Sequence, residues 1–406
     1  MEGWHKVPGW FENIGGIMKT DYNNVLALTP PMGWNSFNTF CCSPSDELIR
    51  GVADAFVSKG LLDAGYNYVN IDDGWMLPER GADGHLVINK DMFPNGFKPL
   101  TDYVHSLGLK IGIYLGCGIR TYDEKAGSLG YEFTDAQDIA DWGFDLLKYD
   151  NRELPDEDPP GRNTKLEYLK MAQALRATGR EILFSMCEHG KTEPWSWAHG
   201  VGQMWRTSPD IKNLWDGTLD TWALSFNVIV DETCERNQPH ARACSWNDPD
   251  MLITGMYKVN DWTGPGCTDT EYRSHFSLWC LMASPLIIGC DIRNMNEVTQ
   301  AVLTNKNLIA VNQDILGIQG CRIRSERGID VWVKPLNGVS WAVGLYNRTC
   351  VPREIEVTWE ELGLTNEMDG QVKDLWADKD LGTFKEKFAF TVESHALEVF
   401  RVTPEF

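Results

Sequence analysis

Eight short apolar runs recur over the first three quarters of the chain, and most are separated by segments with helical periodicity. This alternation predicts parallel strands that are covered by helices on both faces. Eight repeats over roughly 290 residues fit a closed (β/α)8 TIM barrel. An open doubly wound sheet is the alternative, but no GxGxxG or P-loop motif follows a strand. The runs are PPMGWNSF, YNYVNIDDGW, LKIGIYLGCG, FDLLKYDN, EILFSMCEHG, VGQMWRTSPD, ACSWNDPDML and SPLIIGCDI.

The pattern changes after about residue 316, where alternating strands replace the helical segments. The strand candidates are IDVWVKPL, GVSWAVGLYN, REIEVTWEEL, FAFTVES and ALEVFRV, with turn-like LNG and DKDLG between them. Such a series is typical of a small antiparallel β-sandwich. We therefore predict an α/β chain with three parts: an N-terminal extension at 1–24, a catalytic (β/α)8 barrel at 25–316 and a C-terminal β-sandwich at 317–406.

The charge balance restricts the kind of partner. Lys and Arg number 37 against 58 Asp and Glu, which gives a net charge of −21. That field repels nucleic acids and anionic membranes, and no run of eighteen apolar residues is present to span a bilayer. The expected partner is a small molecule or oligosaccharide, with no nucleic acid and no membrane, and a homo-oligomer stays open.

The eleven cysteines show neither CxxC nor zinc-ligand spacing. Scattered cysteines in apolar contexts are typical of free thiols in a reducing compartment. The first sixteen residues also lack the apolar centre of a signal peptide. The sequence therefore predicts a cytoplasmic protein, with a secreted protein that has lost its signal as the alternative.

Acidic residues cluster where the predicted strands end. In a TIM barrel these carboxyl ends open onto the active-site face. The run LLKYD, for example, passes from two leucines to Lys148 and Asp150 with no turn between them. Acids at six strand ends predict one shared pocket; they are Asp72, Asp73, Asp150, Glu188, Asp210, Asp248, Asp250 and Asp291.

Two classes of enzyme use several acids at a barrel mouth, namely metal enzymes and glycosidases. Lys148 lies two residues from Asp150, and Arg206 lies four residues before Asp210. Such cations compete with a metal ion, but they keep carboxylates ionised and donate hydrogen bonds to hydroxyl groups. The pattern therefore favours a glycosidase with neither a metal nor another cofactor.

Aromatic side chains near strand ends are candidates for a surface that stacks on a sugar ring. We expect two or three of the five candidates to face the ligand and the others to pack in the core. The candidates are Trp34, Trp75, Tyr114, Trp205 and Trp246.

Five motifs in order resemble glycoside hydrolase family 27, whose members are mainly α-galactosidases and α-N-acetylgalactosaminidases. They are PPMGWNSF, YVNIDDGWM, GLKIGIYLGCG, DWGFDLLKYDN and SWNDPDML, and the similarity extends from about residue 26 to about residue 320. The resemblance implies a retaining double displacement on a TIM barrel without a metal ion.

The resemblance also implies roles for individual residues. The family's K-[FY]-D motif makes Asp150 the nucleophile, and its W-R-x-x-x-D stretch makes Asp210 the acid/base. We expect Lys148 to lower the pKa of Asp150, whereas repulsion from Asp150 should raise the pKa of Asp210 so that it keeps a proton. The implied substrate-binding residues are Asp72 and Asp73 for the 4- and 6-hydroxyls, Lys148 and Arg206 as donors, Trp34 as aromatic wall, Tyr114, and Asp250 beside the catalytic pair.

The chain departs from the family's secreted members at two disulfides. Gly74 stands where a cysteine would pair with Cys42, and Tyr122 and Arg152 occupy the positions of the second bridge. These losses support a cytoplasmic, microbial protein. They also leave Arg152 able to enter the cleft.

The loop CEHGKTEPW bears on specificity within the family. Glu188 fits the α-galactosidase pattern, although His189 replaces a commoner tryptophan and Lys191 is unusual. The sequence therefore favours galactose over the α-N-acetylgalactosaminidase and β-L-arabinopyranosidase alternatives. A non-catalytic galactoside-binding relative is the alternative from a different class, and the natural aglycone is not encoded in any recognisable motif.

Overall fold

The structure is a computed structural model that describes residues 26–152, 162–221, 223–258 and 263–405, apart from the side chains of residues 162, 163 and 234. The predicted extension at 1–24 lies outside the described residues. Among the residues described, no helix is both long enough and apolar enough to cross a bilayer.

Eight parallel strands form one sheet, and each lies within one of the eight predicted runs. They are β1 (Met32–Asn35), β2 (Tyr68–Ile71), β3 (Lys110–Gly116), β4 (Leu146–Asp150), β5 (Leu183–Cys187), β6 (Met204–Arg206), β7 (Trp246–Asp248) and β8 (Leu286–Ile288). Their order in the sheet is β7-β6-β5-β4-β3-β2-β1-β8. Strands that are neighbours in sequence pair from β1 to β7, and β8 pairs with β1, so the sheet curls into a ring.

Leu252 closes this ring between β7 and β8. Its N–H donates to the carbonyl of Ile287 at 2.7 Å, and its carbonyl accepts from the N–H of Gly289 at 2.9 Å. The predicted (β/α)8 barrel is confirmed.

An apolar floor fills the barrel below the carboxyl ends of its strands. Side chains alternate between the two faces of a strand, so Leu146, Lys148 and Asp150 all point into the barrel from β4. Leu146 belongs to the floor, while the two charged residues lie above it at the mouth. This explains why an apolar run ends in opposite charges. The floor consists of Tyr68, Leu146, Leu183, Met204, Trp246, Met251, Ala283 and Ile287.

Helices cover the outside of the barrel, and an amphipathic helix buries its apolar face against the strands. The predicted helix at 46–60 is observed at Asp46–Ser58, and it buries Leu48, Val52 and Phe56. The predicted helix at 167–179 begins earlier in the structure. The described α-helices are Phe37–Phe40, Asp46–Ser58, Leu61–Ala64, Lys98–Ser106, Glu132–Trp142, Arg162–Ala177, Phe226–Asn237, Asp269–Leu281, Glu297–Leu303 and Lys306–Asn312.

The C-terminal part is antiparallel, as predicted. Its strands are β9 (Cys321–Glu326), β10 (Ile329–Leu336), β11 (Ser340–Asn347), β12 (Arg353–Thr358), β13 (Asp369–Asp374), β14 (Lys379–Lys385), β15 (Lys387–Val392) and β16 (Leu397–Glu405). Six of them form a sheet in the order β9-β10-β11-β16-β13-β14, while β12 pairs with β15. The boundary at 316/317 stays a prediction.

One turn prediction in this part is wrong. The segment DKDLG at 378–382 enters β14 instead of connecting two strands. β14 lies at the edge of the six-stranded sheet, where polar residues are tolerated because one side faces water. The register also shifts opposite Leu381, and Gly382 takes a positive φ of 101°. The turn-like composition therefore marks a β-bulge.

Candidate active site

A cavity of about 370 Å³ opens at the carboxyl ends of the barrel strands, within the size range of small-molecule sites. Both predicted catalytic aspartates, Asp150 and Asp210, contribute to its wall. Its lining comprises Phe37, Asn38, Asp72, Tyr114, Tyr122, Lys148, Asp150, Asn151, Arg152, Cys187, His189, Lys191, Arg206, Asp210, Ile211, Asp250 and Met251.

Asp150 is the last residue of β4, and its two carboxylate oxygens have different partners. Oδ2 accepts a hydrogen bond from the hydroxyl of Tyr114 at 2.7 Å. Oδ1 lies 3.1 Å from Nε2 of His189. Burial alone would raise the pKa of Asp150, but the hydrogen bond and charge of His189, followed by the charge of Lys148 and the Tyr114 hydroxyl, hold this pKa below its usual range. The carboxylate is therefore kept ionised, as expected, with His189 as a contributor that the sequence did not indicate.

Asp72 and Lys148 form a buried ion pair at the side of the cavity. Nζ of Lys148 donates to Oδ2 of Asp72 at 2.8 Å, and Nδ2 of Asn35 donates to the same oxygen at 2.7 Å. Lys148 stands beside Tyr114 in the register of β3 and β4, with its ammonium 5.5 Å from that ring's centroid. The arrangement presents a fixed acceptor and a fixed cation to the same space.

Arg206, at the end of β6, holds a second pair of carboxylates. Its Nη2 lies 3.1 Å from Oδ1 of Asp210 and 3.0 Å from Oδ2 of Asp250. Asp250 also accepts the backbone N–H groups of Ile211 and Met251, at 2.8 and 2.7 Å. Asp250 is thereby locked in place, whereas the side chain of Asp210 stays 42% exposed at the cavity mouth.

The expected rise in the pKa of Asp210 is wrong for this structure. Burial does act to raise the pKa of Asp210, but the hydrogen bond to His189 and the charge of Arg206 hold it well below its usual range. Oδ1 of Asp210 lies 3.5 Å from Nδ1 of His189. An imidazole thus stands between the two predicted catalytic carboxylates, where direct repulsion between them was expected.

Three predicted binding residues do not line the cavity. Trp34 is buried and donates its indole N–H to the carbonyl of Cys290 at 2.8 Å, so Phe37 is the aromatic residue that this segment presents. Asp73 accepts the backbone N–H groups of Gly74 and Asp123, at 2.7 and 2.8 Å, and burial raises its pKa to about 6.

Glu188 is the third predicted binding residue that does not line the cavity. It turns away from the cavity and accepts two 2.8 Å hydrogen bonds from the N–H and hydroxyl of Thr192. Burial raises the pKa of Glu188 to about 7. His189, the next residue, lines the cavity instead and has a positive φ of 61°, which is uncommon for a residue other than glycine.

Among the five aromatic candidates, Tyr114 alone lines the cavity. The expectation that two or three would face a ligand is wrong, because both faces of a barrel strand are covered and a buried position does not show which face it occupies. The other four, Trp34, Trp75, Trp205 and Trp246, are fully buried.

Arg152 and Tyr122 both enter the cavity wall. The guanidinium of Arg152 lies 5.3 Å from the centroid of the Tyr122 ring, so a cation–π contact occupies the place of the second disulfide that the resemblance implied. Gly74 packs against the carbonyl of Cys42, which leaves no room for a side chain at position 74. Nine of the cysteines whose side chains are described form no disulfide: Cys41, Cys42, Cys117, Cys187, Cys244, Cys267, Cys280, Cys290 and Cys350.

In the described part of the chain, one group of three side chains brings potential metal-binding atoms within 4.8 Å of one another: Asp150, Cys187 and His189. Metal ions take a thiolate, however, and burial together with the charge of Asp150 raises the pKa of Cys187. We therefore assign no metal to this group.

The barrel and the carboxylate pair over one cavity define a class of protein, the glycoside hydrolases that work with two acids. Within that class, the chain belongs to the alpha galactosidase A family, whose model matches residues 29–314. The alpha galactosidase C-terminal beta sandwich domain matches residues 326–402.

Individual relatives agree with this assignment. The chain is 44% identical over 382 residues to alpha-galactosidase 2 of Arabidopsis thaliana, covering 94% of this chain and 91% of the relative. It is 40% identical to alpha-galactosidase A of Cellvibrio japonicus, with 93% of each chain covered. The structure of alpha-galactosidase I from Mortierella vinacea superimposes with a TM-score of 0.87 at 33% identity, covering 94% of this chain and 98% of the other. The structure of the Saccharomyces cerevisiae enzyme with raffinose gives a TM-score of 0.85 at 27% identity, covering 94% and 99%.

Proposed function

We propose that this protein is a retaining exo-glycosidase that releases terminal α-D-galactose from galactosides, with Asp150 as the nucleophile and Asp210 as the acid/base. The observation that carries the proposal is that both carboxylates line one cavity, from the end of β4 and just after β6, with a single imidazole ring between them. Two acids that flank one cavity are what a double displacement requires.

In the first step, Asp150 attacks the anomeric carbon while the bond to the leaving oxygen breaks. Asp210, as the proposed acid, gives a proton to that oxygen, and an ester links the sugar to Asp150. The lowered pKa of Asp150 keeps it ionised for this attack.

In the second step, Asp210 accepts a proton from a water molecule, whose oxygen attacks the same carbon. The ester breaks, Asp150 is released as a carboxylate, and galactose leaves with its original anomeric configuration. Because Asp210 is more exposed than Asp150, it stands on the side from which water enters.

The fixed polar groups around the cavity suit a ring with several hydroxyl groups. Asp72 and Asp250 offer acceptors, and Lys148 and Arg206 offer donors, all held by their mutual ion pairs. We assign the aromatic surface to Phe37 and Tyr114, since Trp34 lies outside the lining. Asp73 and Glu188 support the loops behind the site.

Oligosaccharides with a terminal α-galactose are the proposed substrates, in line with the raffinose bound in the yeast relative's structure. The nine cysteines named above that form no disulfide support a reducing compartment, so we propose a cytoplasmic location. Homo-oligomer formation stays a prediction.

The proposal is tested by hydrolysis of p-nitrophenyl α-galactoside by the wild type, Asp150→Asn and Asp210→Asn. We expect turnover by the wild type and a loss of several orders of magnitude in Asp150→Asn. A wild type that binds galactose without hydrolysing any substrate would support the non-catalytic alternative. Faster turnover of the α-N-acetylgalactosaminide or the β-L-arabinopyranoside would contradict the assignment to galactose.

A further inference from the structure

His189 contacts both reacting carboxylates, although neither step of the proposed reaction gives it a role. Its Nε2 lies 3.1 Å from Oδ1 of Asp150, and its Nδ1 lies 3.5 Å from Oδ1 of Asp210. The side chain is 15% exposed, and the positive φ of 61° turns it from the end of β5 toward the cavity. An imidazole that reaches both reacting carboxylates must carry a proton on each nitrogen to donate to both.

The surroundings favour that charged form. Burial would lower the pKa of His189, but its hydrogen bonds to the carboxylates of Asp150 and Asp210 raise it well above its usual range. Other charged or titratable groups lie near these three, and their effects partly oppose one another. They are Lys148 and Tyr114 beside Asp150, Arg206 beside Cys187 and Asp210, Lys212 near Asp210, and Glu188 and Lys191 on the same loop as His189.

This geometry changes where the proton for the leaving group is stored. A carboxylic acid beside a second carboxylate normally keeps its own proton, because the two negative charges repel each other. Here the cation between them removes that repulsion, and Arg206 adds a second cation at 3.1 Å from Asp210. Asp210 therefore rests as a carboxylate, and the nearest transferable proton is on Nδ1 of His189.

We propose that His189 holds the catalytic proton in the free enzyme and passes it to Asp210 when substrate enters, so that the acid/base of this enzyme is an imidazole–carboxylate pair. The inference rests on the proposed function of Asp150 and Asp210. It assigns a third residue to the proton transfer.

The proton balance is complete without another reactant. Nδ1 of His189 gives its proton to Oδ1 of Asp210, which leaves a neutral imidazole and a carboxylic acid. Asp210 then protonates the leaving oxygen as Asp150 bonds to the anomeric carbon. In the second step Asp210 takes a proton from water, Asp150 regains its charge, and the proton returns to His189.

The 3.5 Å contact with Asp210 is longer than the 3.1 Å contact with Asp150. The longer contact is the one that a leaving-group oxygen has to replace, because that oxygen must come within hydrogen-bond reach of Asp210. Nε2 of His189 can keep its contact with Asp150 while the contact between Nδ1 and Asp210 is broken.

The test compares the wild type with His189→Gln, which retains a donor toward Asp150 but holds no transferable proton. We expect kcat/KM to fall about a hundredfold on methyl α-galactoside, a poor leaving group, and less than tenfold on p-nitrophenyl α-galactoside, because general acid catalysis contributes roughly 10²–10⁴-fold where it is needed. The basic limb of the pH profile should move to lower pH, since Asp210 alone releases its proton more readily than the pair. His85→Gln, which changes a surface histidine paired with Asp138, is the matched control and should behave as the wild type.

A purely structural role for His189 would slow both substrates alike and leave the basic limb unmoved, and that result overturns the inference. A wild type with no activity on either galactoside would contradict the proposed function instead. Should His189→Gln fail to fold, ¹⁵N-histidine NMR of the unmodified protein gives a second measurement. A charged imidazole at pH 7 agrees with the inference, and a neutral one overturns it.

Discussion

The hydroxyl of Tyr114 donates a 2.7 Å hydrogen bond to Oδ2 of Asp150, across the pairing of β3 with β4. Asp150 ends β4, and the phenol of Tyr114 reaches it from a position two residues before the end of β3. The bond fixes one carboxylate oxygen and favours its ionised form. The other oxygen is held by His189.

Tyr114→Phe should therefore make Asp150 easier to protonate. A hydrogen bond to a charged group contributes about 1.5 kcal/mol or more, and 1.36 kcal/mol corresponds to one pKa unit. The acid limb of the kcat/KM profile should move up by about one pH unit, with less than a tenfold loss at the optimum. Steady-state kinetics from pH 3 to 8 measure this shift.

Tyr103→Phe is the matched control for this prediction, because it removes a hydroxyl that donates to Asp54 on the protein surface. Its pH profile should equal that of the wild type. An acid limb that stays in place in Tyr114→Phe would show that the phenol does not control the ionisation of Asp150.

Lys148→Met should destabilise the barrel strongly. It leaves the carboxylate of Asp72, whose side chain is 1% exposed, without its cation and with Asn35 as its remaining side-chain donor. Removing one partner of a buried ion pair costs about 3–5 kcal/mol. We expect thermal unfolding to shift down by several degrees and activity to be lost.

Lys98→Met offers the comparison, because Lys98 and Asp102 form an exposed pair within one helix. Exposed pairs contribute little to stability, so its unfolding curve should barely change. Equal shifts in the two variants would mean that the Lys148 pair is screened by water as a surface pair is.

Three buried carboxyl groups should each lower stability as pH rises from about 4.5 to about 7. Burial raises the pKa of Glu188 to about 7 and those of Asp73 and Asp248 to about 6, so these groups bind more protons in the folded protein than in the unfolded chain. Burial lowers the pKa of His275 to about 3 and that of His199 to about 4, so these two groups act in the opposite direction over the same window. The contribution of one group is therefore measured by comparing a variant that lacks it with the wild type in calorimetric scans.

Glu188→Gln isolates one of these groups. The amide keeps an oxygen for Thr192 but does not titrate, so the Tm of Glu188→Gln relative to that of the wild type should increase as pH rises from 4.5 to 7. A difference in Tm between the two proteins that stays constant through this range would contradict the prediction.

Regular strand positions were the predictable part of the site. Tyr114, Lys148 and Asp150 lie on strands whose apolar runs are unmistakable, and alternation puts Lys148 and Asp150 on one face. The aromatic positions were less predictable, because strands covered on both faces carry tryptophans of either orientation. The sequence position of Trp34 is thus typical of a pocket residue, although its side chain packs against Cys290.

Loop positions follow no such alternation. The backbone at His189 takes a left-handed conformation just after β5, so His189 faces the cavity and Glu188 faces Thr192. No periodic pattern encodes that rotation. The pKa of Asp210 was mispredicted partly for the same reason, since His189, which lowers it together with Arg206, belongs to this loop.

The central claim is that Asp150 forms a covalent bond to galactose, and it is tested most directly by trapping that intermediate. An activated fluorosugar of galactose, which slows the second step, should label the wild type. Mass spectrometry of the digested protein should then place the added mass on Asp150, with no label in Asp150→Asn. A label on another residue, or the absence of any covalent adduct alongside full inhibition, would contradict the account.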